Sequence, residues 1–154
     1  MNRIEITKNK TRTFFFNIIT LLGGTYFYGL LLILTLILSQ PELFIRLLLG
    51  FALTLCITVV IRIFYFKPRP EPMKYHNFIQ KINASAFPSW HASRSVFLTL
   101  LFYSFFPKGI LLLILSFLTI LFFYSRIYLK KHDWNDITGG VFVGIVTFWI
   151  TTLL

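Results

Sequence analysis

Residues 109–125 read GILLLILSFLTILFFYS, without one Asp, Glu, Lys or Arg. Two further stretches, 13–39 and 137–154, share that character. A helix needs about 17–25 consecutive apolar residues to cross the hydrocarbon of a bilayer. The whole chain is 154 residues long, 56 % hydrophobic and only 13 % charged, against about 25 % charged residues in soluble domains. These observations predict an all-α, polytopic transmembrane helix bundle of about five spans, forming one membrane-embedded domain over residues 1–154.

Working outward from residues 109–125, the expected spans are 13–39, 43–64, 89–107, 109–125 and 137–154. The first is long for one helix and too short for two. Arg3, Lys8, Lys10 and Arg12 precede it as in a signal peptide, but it outruns a signal's apolar region and no A-x-A site follows, so an uncleaved span is expected. Gln40, Pro41 and Glu42 form the first turn. Residues 65–88 form the one long polar loop, because Lys67, Pro68, Arg69, Pro70, Glu71 and Pro72 break helix and repel hydrocarbon. The single cysteine, Cys56, excludes an intramolecular disulfide and reads as a small core residue. Gly23-Gly24 and Gly140-x-x-x-Gly144 read as helix-packing positions.

The net charge is +10. The basic residues sit at the ends of apolar runs, where they meet anionic headgroups, rather than on one soluble face suited to nucleic acid. Five spans place the N-terminus, residues 65–88 and residues 126–136 on one side of a cell (inner) membrane. Of the 15 basic residues only Arg46 and Lys108 fall opposite. Setting aside Arg62, Arg69, Arg94 and Arg126 as candidates for chemistry still leaves nine against two. The positive-inside rule then makes that side cytoplasmic.

Three polar clusters lie at span ends on this same side: Arg62, Lys67 and Arg69-Pro70; Pro88-Ser89-Trp90-His91 with Arg94 behind; and Ser125-Arg126, His132 and Asp136. Several cations beside two histidines and one carboxylate, with no acid for each Arg, suit an oxyanion, since guanidinium forks match phosphate oxygens. Phosphoryl transfer asks for charge stabilisation, a nucleophile and a proton donor. Two histidines fill the last two roles without a metal. Asp136 follows His132 by four residues, so the two share a face if a helix begins there. Ser89 reads as a helix N-cap, where free N–H groups favour an anion. Arg94 either lines the pocket or snorkels. Lys67, Lys74, Lys130 and Lys131 read as snorkelling residues, and His76 as a loop residue without a catalytic part.

Arg62 with Arg69-Pro70, Pro88-Ser89-x-His91, and Ser125-Arg126-x5-His132-x3-Asp136 resemble, in order and spacing, the three signature motifs of the type 2 phosphatidic acid phosphatase superfamily. The resemblance implies that His132 attacks phosphorus to form a phosphohistidine, that Asp136 orients it, and that His91 protonates the leaving oxygen. It implies phosphate binding by Arg62, Arg69, Ser89, Arg126 and the backbone of Trp90, with no metal and no cofactor. Two positions depart from the family pattern. Arg62 stands where the family usually has Lys. Trp90 stands where it usually has Gly, so an indole is expected to narrow the pocket or to anchor at the interface. The function implied is hydrolysis of a polyprenyl pyrophosphate or related lipid phosphate reaching the site from the bilayer. The alternatives are a lipid phosphotransferase and a catalytically silent binder of lipid phosphates. The expected partners are the substrate and membrane lipids, not nucleic acid; the sequence carries no signal of oligomeric state.

Overall fold

In the computed structural model, residues 3–22 and 24–154 are described, with side chains from residue 10 onward apart from Leu22. The described residues contain seven helices: α1 (Arg3–Leu22), α2 (Thr25–Ile37), α3 (Pro41–Phe64), α4 (Phe78–Ala84), α5 (Trp90–Phe105), α6 (Gly109–Tyr128) and α7 (Trp134–Leu153). Four stretches are long and apolar enough to cross a membrane on their own: Lys10–Ile37, Pro41–Phe64, Gly109–Tyr128 and Trp134–Leu153. The remaining expected span, α5, has 16 residues, about 24 Å of helix. It falls short alone because Ser93, Arg94 and Ser95 interrupt it. It is instead enclosed by α3, α6 and α7, and those three polar residues are buried.

The first apolar run is not one helix. Gly24 adopts an extended conformation (φ −80°, ψ 174°) between α1 and α2. Its N–H donates to the carbonyl of Leu21 at 2.9 Å, closing α1. A Cβ there would lie 2.9 Å from that same oxygen, so a larger residue would crowd the break. The pairing of Gly23 with Gly24 as a packing site lies partly outside the described residues. Before the break, α1 packs against the end of α6. Phe16 meets the rings of Tyr124 and Tyr128, and Thr20 Oγ1 lies 3.4 Å from Ser125 Oγ. The next turn also differs from expectation: Pro41 and Glu42 already belong to α3, where proline suits the first helical position, and Ser39 makes the turn with φ 52°.

The centre of the bundle is the contact of α5 with α7. A Cβ on Gly140 would lie 2.5 Å from the carbonyl oxygen of Ser89, and one on Gly144 would lie 2.5 Å from that of Ser93. Side chains at these two positions would therefore force the helices apart, which is the packing role expected of the pair. Toward the other end, Tyr28, Leu43, Leu47, Phe97 and Leu101 form the buried core, with the Tyr28 hydroxyl donating to the carbonyl of Leu47 at 2.8 Å. Outward-facing positions such as Phe117 and Phe142 remain exposed for lipid. Cys56 is exposed on α3 as well, contrary to its reading as a core residue: the helix turns its Thr54 and Thr58 face inward.

Replacing Gly144 by Leu should lower the stability of the protein in detergent by about 1–3 kcal/mol. Thermal unfolding followed by circular dichroism reads this directly. Phe142→Leu, on the lipid-facing side of the same helix, should stay within about 0.5 kcal/mol.

Candidate active site

The site is assembled from four pieces of chain that meet at one end of the bundle. Ser89 caps α5, its Oγ accepting from the N–H of Ala92, while its own N–H donates to the carbonyl of Asp136 at 2.9 Å. That backbone bond joins the second cluster to the third. Arg62, in the last turn of α3, donates from Nη2 to the carbonyl of Pro88 at 2.8 Å, joining the first cluster to the second. Arg69 donates from Nη2 to the carbonyl of Asn83 at 2.7 Å, tying the loop to α4, whose N-cap is Asn77. The backbone of Lys67 holds the far side of that loop: its carbonyl accepts from the N–H of Ala86 at 2.7 Å, and its N–H donates to Ser85 Oγ.

The predicted residues therefore come together. Arg62 is within electrostatic range of Arg69 and Asp136, Arg126 of Arg69, Arg94 and Arg62, and His91 of Arg126, Arg94, His132 and Arg69. Arg62, Arg126, His132 and Asp136 are buried. Among the described residues the Nε atoms of Arg62, Arg69, Arg94 and Arg126 have no acceptor. Buried guanidinium N–H groups without acceptors are costly unless an anion completes them.

His132 lies before α7 rather than on it. Asp133 is the N-cap, and it forms a capping box with Asp136: Asp133 Oδ1 accepts from the N–H of Asp136 at 3.0 Å, and Asp136 Oδ2 from the N–H of Asp133 at 2.9 Å. Asp is among the strongest N-cap residues, so it starts the helix two residues later than a shared His132–Asp136 face requires. The pair still meets, with His132 Nδ1 at 3.6 Å from Asp136 Oδ2. That separation is an electrostatic contact, longer than a hydrogen bond. Burial, reinforced by Arg126 and Arg69, brings the His132 imidazole down to about 4, with Asp136 pulling the other way. The ring is accordingly neutral at physiological pH.

Lys67 was expected to snorkel, and it does not. Its Nζ donates to Asp136 Oδ1 at 2.8 Å and to Asp133 Oδ2 at 2.6 Å. Burial works against the ammonium, but those bonds outweigh it and hold Lys67 above its ordinary value. Lys67 thus fixes the carboxylate that faces His132. The one sequence signal was Asp133 itself, an acid without an assigned partner. Trp90 also departs from expectation. Its indole turns into the bundle, with Nε1 3.4 Å from Thr54 Oγ1 and its ring beside Phe51 and against the guanidinium of Arg94. As the first residue of α5 it retains an N–H with no acceptor inside the helix. His76 is exposed, its backbone N–H bonded to Gln80 Oε1, and Lys131 pairs with Glu71 at 3.2 Å. Among the described residues no three His, Cys, Asp or Glu side chains gather as a metal site would require.

Lys67→Met removes the ammonium between two carboxylates, one of them fully buried. It should destabilise the protein by about 2 kcal/mol or more. The gap from wild type in thermal unfolding should narrow as pH rises through the range where the Lys67 ammonium, held above its ordinary value by its bonds to the two carboxylates, gives up its proton and the pairing is lost in the wild type.

Two solved structures share the fold. Aquifex aeolicus LpxE matches with a TM-score of 0.77 at 24 % identity, covering 94 % of this chain and 87 % of that one. The transmembrane PAP2 type phosphatidylglycerolphosphate phosphatase of Bacillus subtilis matches with a TM-score of 0.67 at 22 % identity, covering 91 % and 74 %. No curated protein matches the sequence. The family model of the PAP2 superfamily matches residues 43–154, the part of the chain that carries all three polar clusters, and the protein belongs to that superfamily.

Proposed function

We propose that the protein is a membrane lipid phosphatase that hydrolyses a polyprenyl pyrophosphate or a related lipid phosphate through a phosphohistidine. The observation that carries this reading is the set of guanidinium groups, of the buried Arg62 and Arg126 and the half-buried Arg69, whose buried Nε atoms find no acceptor among the described residues and which surround a neutral histidine backed by a carboxylate. Such an arrangement is complementary to the three equatorial oxygens of a phosphoryl group in transfer.

With Nδ1 of His132 turned to Asp136, the lone pair on Nε2 is free to attack phosphorus. As the N–P bond forms, the bond to the leaving oxygen breaks, and His91 supplies that oxygen with a proton. The imidazole gains positive charge at the same moment, which strengthens its attraction to Asp136. Arg62, Arg69 and Arg126 hold the non-bridging oxygens, with the Ser89 hydroxyl and the Trp90 N–H as further donors. Water, giving a proton to His91, then attacks the phosphohistidine and releases inorganic phosphate with His132 restored. The site sits where α3, α5, α6 and α7 end or begin, so a lipid reaches it laterally while its chains remain in the bilayer.

His132→Ala should lower phosphate release in detergent and EDTA by about a thousandfold or more, measured with polyprenyl pyrophosphate, phosphatidate and phosphatidylglycerophosphate. Radiolabelled substrate should leave an acid-labile, alkali-stable label on the wild-type protein and none on the variant. If the label fails to appear during steady turnover, water attacks the substrate directly and the covalent step is wrong.

Charge bias favours a cytoplasmic site in the cell (inner) membrane. With Lys67 now counted among the site residues, eight basic residues still stand against two. A reporter fused to the C-terminus should then be active outside the cytoplasm; activity inside would reverse the assignment.

A further inference from the structure

Arg94 is the one cation of the cluster that the phosphatase reading leaves without a task. It is 2 % exposed. Nη1 donates to Thr25 Oγ1 at 3.1 Å, and its guanidinium carbon lies 4.2 Å above the Trp90 ring. Among the described residues Nε has no acceptor and no carboxylate pairs with the guanidinium. A hydroxyl and an aromatic face orient a guanidinium but do not neutralise it, and an unneutralised charge in the membrane-embedded part of a bundle is costly enough to imply a use.

Its position indicates the use. Arg94 follows His91 by three residues on α5, so the two occupy one face a single turn apart. The same face continues with Ser95, Leu98, Thr99 and Phe102, which together with Arg94 line a cavity of about 350 Å³ between α2, α5 and α6. The cavity is otherwise almost wholly apolar, and Leu118 on its wall reaches the outer surface of the bundle. A single helical stripe therefore runs from the proton donor, past a buried cation, into an apolar cleft that borders the bilayer.

We propose that Arg94 and this cleft form the leaving-group subsite, and that Arg94 selects lipids whose leaving group is itself a phosphate, namely diphosphates of a hydrocarbon alcohol. This rests on the reading of the site as a lipid phosphatase. The terminal phosphorus is attacked at the guanidinium cage, the bond to the bridging oxygen breaks, and His91 protonates that oxygen. The departing lipid monophosphate carries its remaining negative oxygens one turn further along α5, against Arg94, with its hydrocarbon chain in the cleft below. A lipid monophosphate of the same alcohol presents only carbon at that level and leaves Arg94 unpaired.

The test compares kcat/KM for farnesyl diphosphate and farnesyl monophosphate in detergent with EDTA, for the wild type, Arg94→Gln and Arg94→Lys. The ratio of the two values cancels any loss of folded enzyme. The wild type should favour the diphosphate by about tenfold or more, Arg94→Gln should cut the ratio about tenfold, and Arg94→Lys should retain more of it than Arg94→Gln. A wild-type ratio near one, or a ratio that Arg94→Gln leaves unchanged, overturns the assignment while the phosphatase reading stands. Release of phosphate from no lipid phosphate by folded wild-type protein overturns both.

Discussion

Positive charges forced together in a space of low dielectric repel one another, and the whole site end of this bundle is arranged around that constraint. Arg62, Arg69, Arg94 and Arg126 lie within electrostatic range of one another or of shared neighbours, and the carboxylates set among them are those of Asp133 and Asp136. Both carboxylates are already engaged by Lys67 and by their own capping box. Arg62 and Arg69 are consequently held by neutral carbonyls, of Pro88 and Asn83, and Arg94 by the hydroxyl of Thr25, rather than by acids. A carbonyl orients a cation without cancelling its charge. The folded protein therefore retains an uncompensated positive field directed at one point, a cost in stability of the kind active sites commonly carry.

What holds such a field in place is the fit of α5 on α7. Gly140 and Gly144 let the backbones approach so closely that the carbonyls of Ser89 and Ser93 stand where side chains would otherwise be. That approach brings the Ser89 N–H onto the carbonyl of Asp136, which aligns the start of α5, with His91, against the loop bearing His132. Packing in the membrane half and chemistry at the surface are thus one structure: a methyl group inserted between these helices would separate His91 from His132.

Much of this was legible in the sequence, because hydrocarbon and phosphate both impose simple patterns. Uncharged runs marked the spans, and three clusters at span ends on one side were bound to lie at a common depth. The features that escaped depended on competition between nearby groups. Lys67 looked like any lysine beside a membrane until Asp133 was seen to take the N-cap and offer it a second oxygen. His132 and Asp136 had the spacing of a helical pair, yet the stronger cap placed His132 outside the helix. Trp90 was judged by its place beside Ser89, whereas its indole finds Thr54 and Phe51 on α3 and supports Arg94 from below. Cys56 and the break at Gly24 escaped for a simpler reason: within a uniformly apolar run, hydropathy distinguishes neither face nor continuity.

The division of labour at Asp136 explains why His132 sits 3.6 Å from its partner rather than within hydrogen-bond distance. One carboxylate oxygen serves Lys67 and the other serves the N–H of Asp133, so the group is immobilised before any substrate arrives. A neutral imidazole has little to gain by displacing those bonds. Once Nε2 bonds to phosphorus, as the proposed mechanism has it, the ring carries positive charge, and its Nδ1–H becomes a charge-assisted donor to a carboxylate already aligned to accept it. Under the proposed mechanism the interaction strengthens in the transition state more than in the ground state, which is the condition for it to accelerate the reaction rather than merely bind.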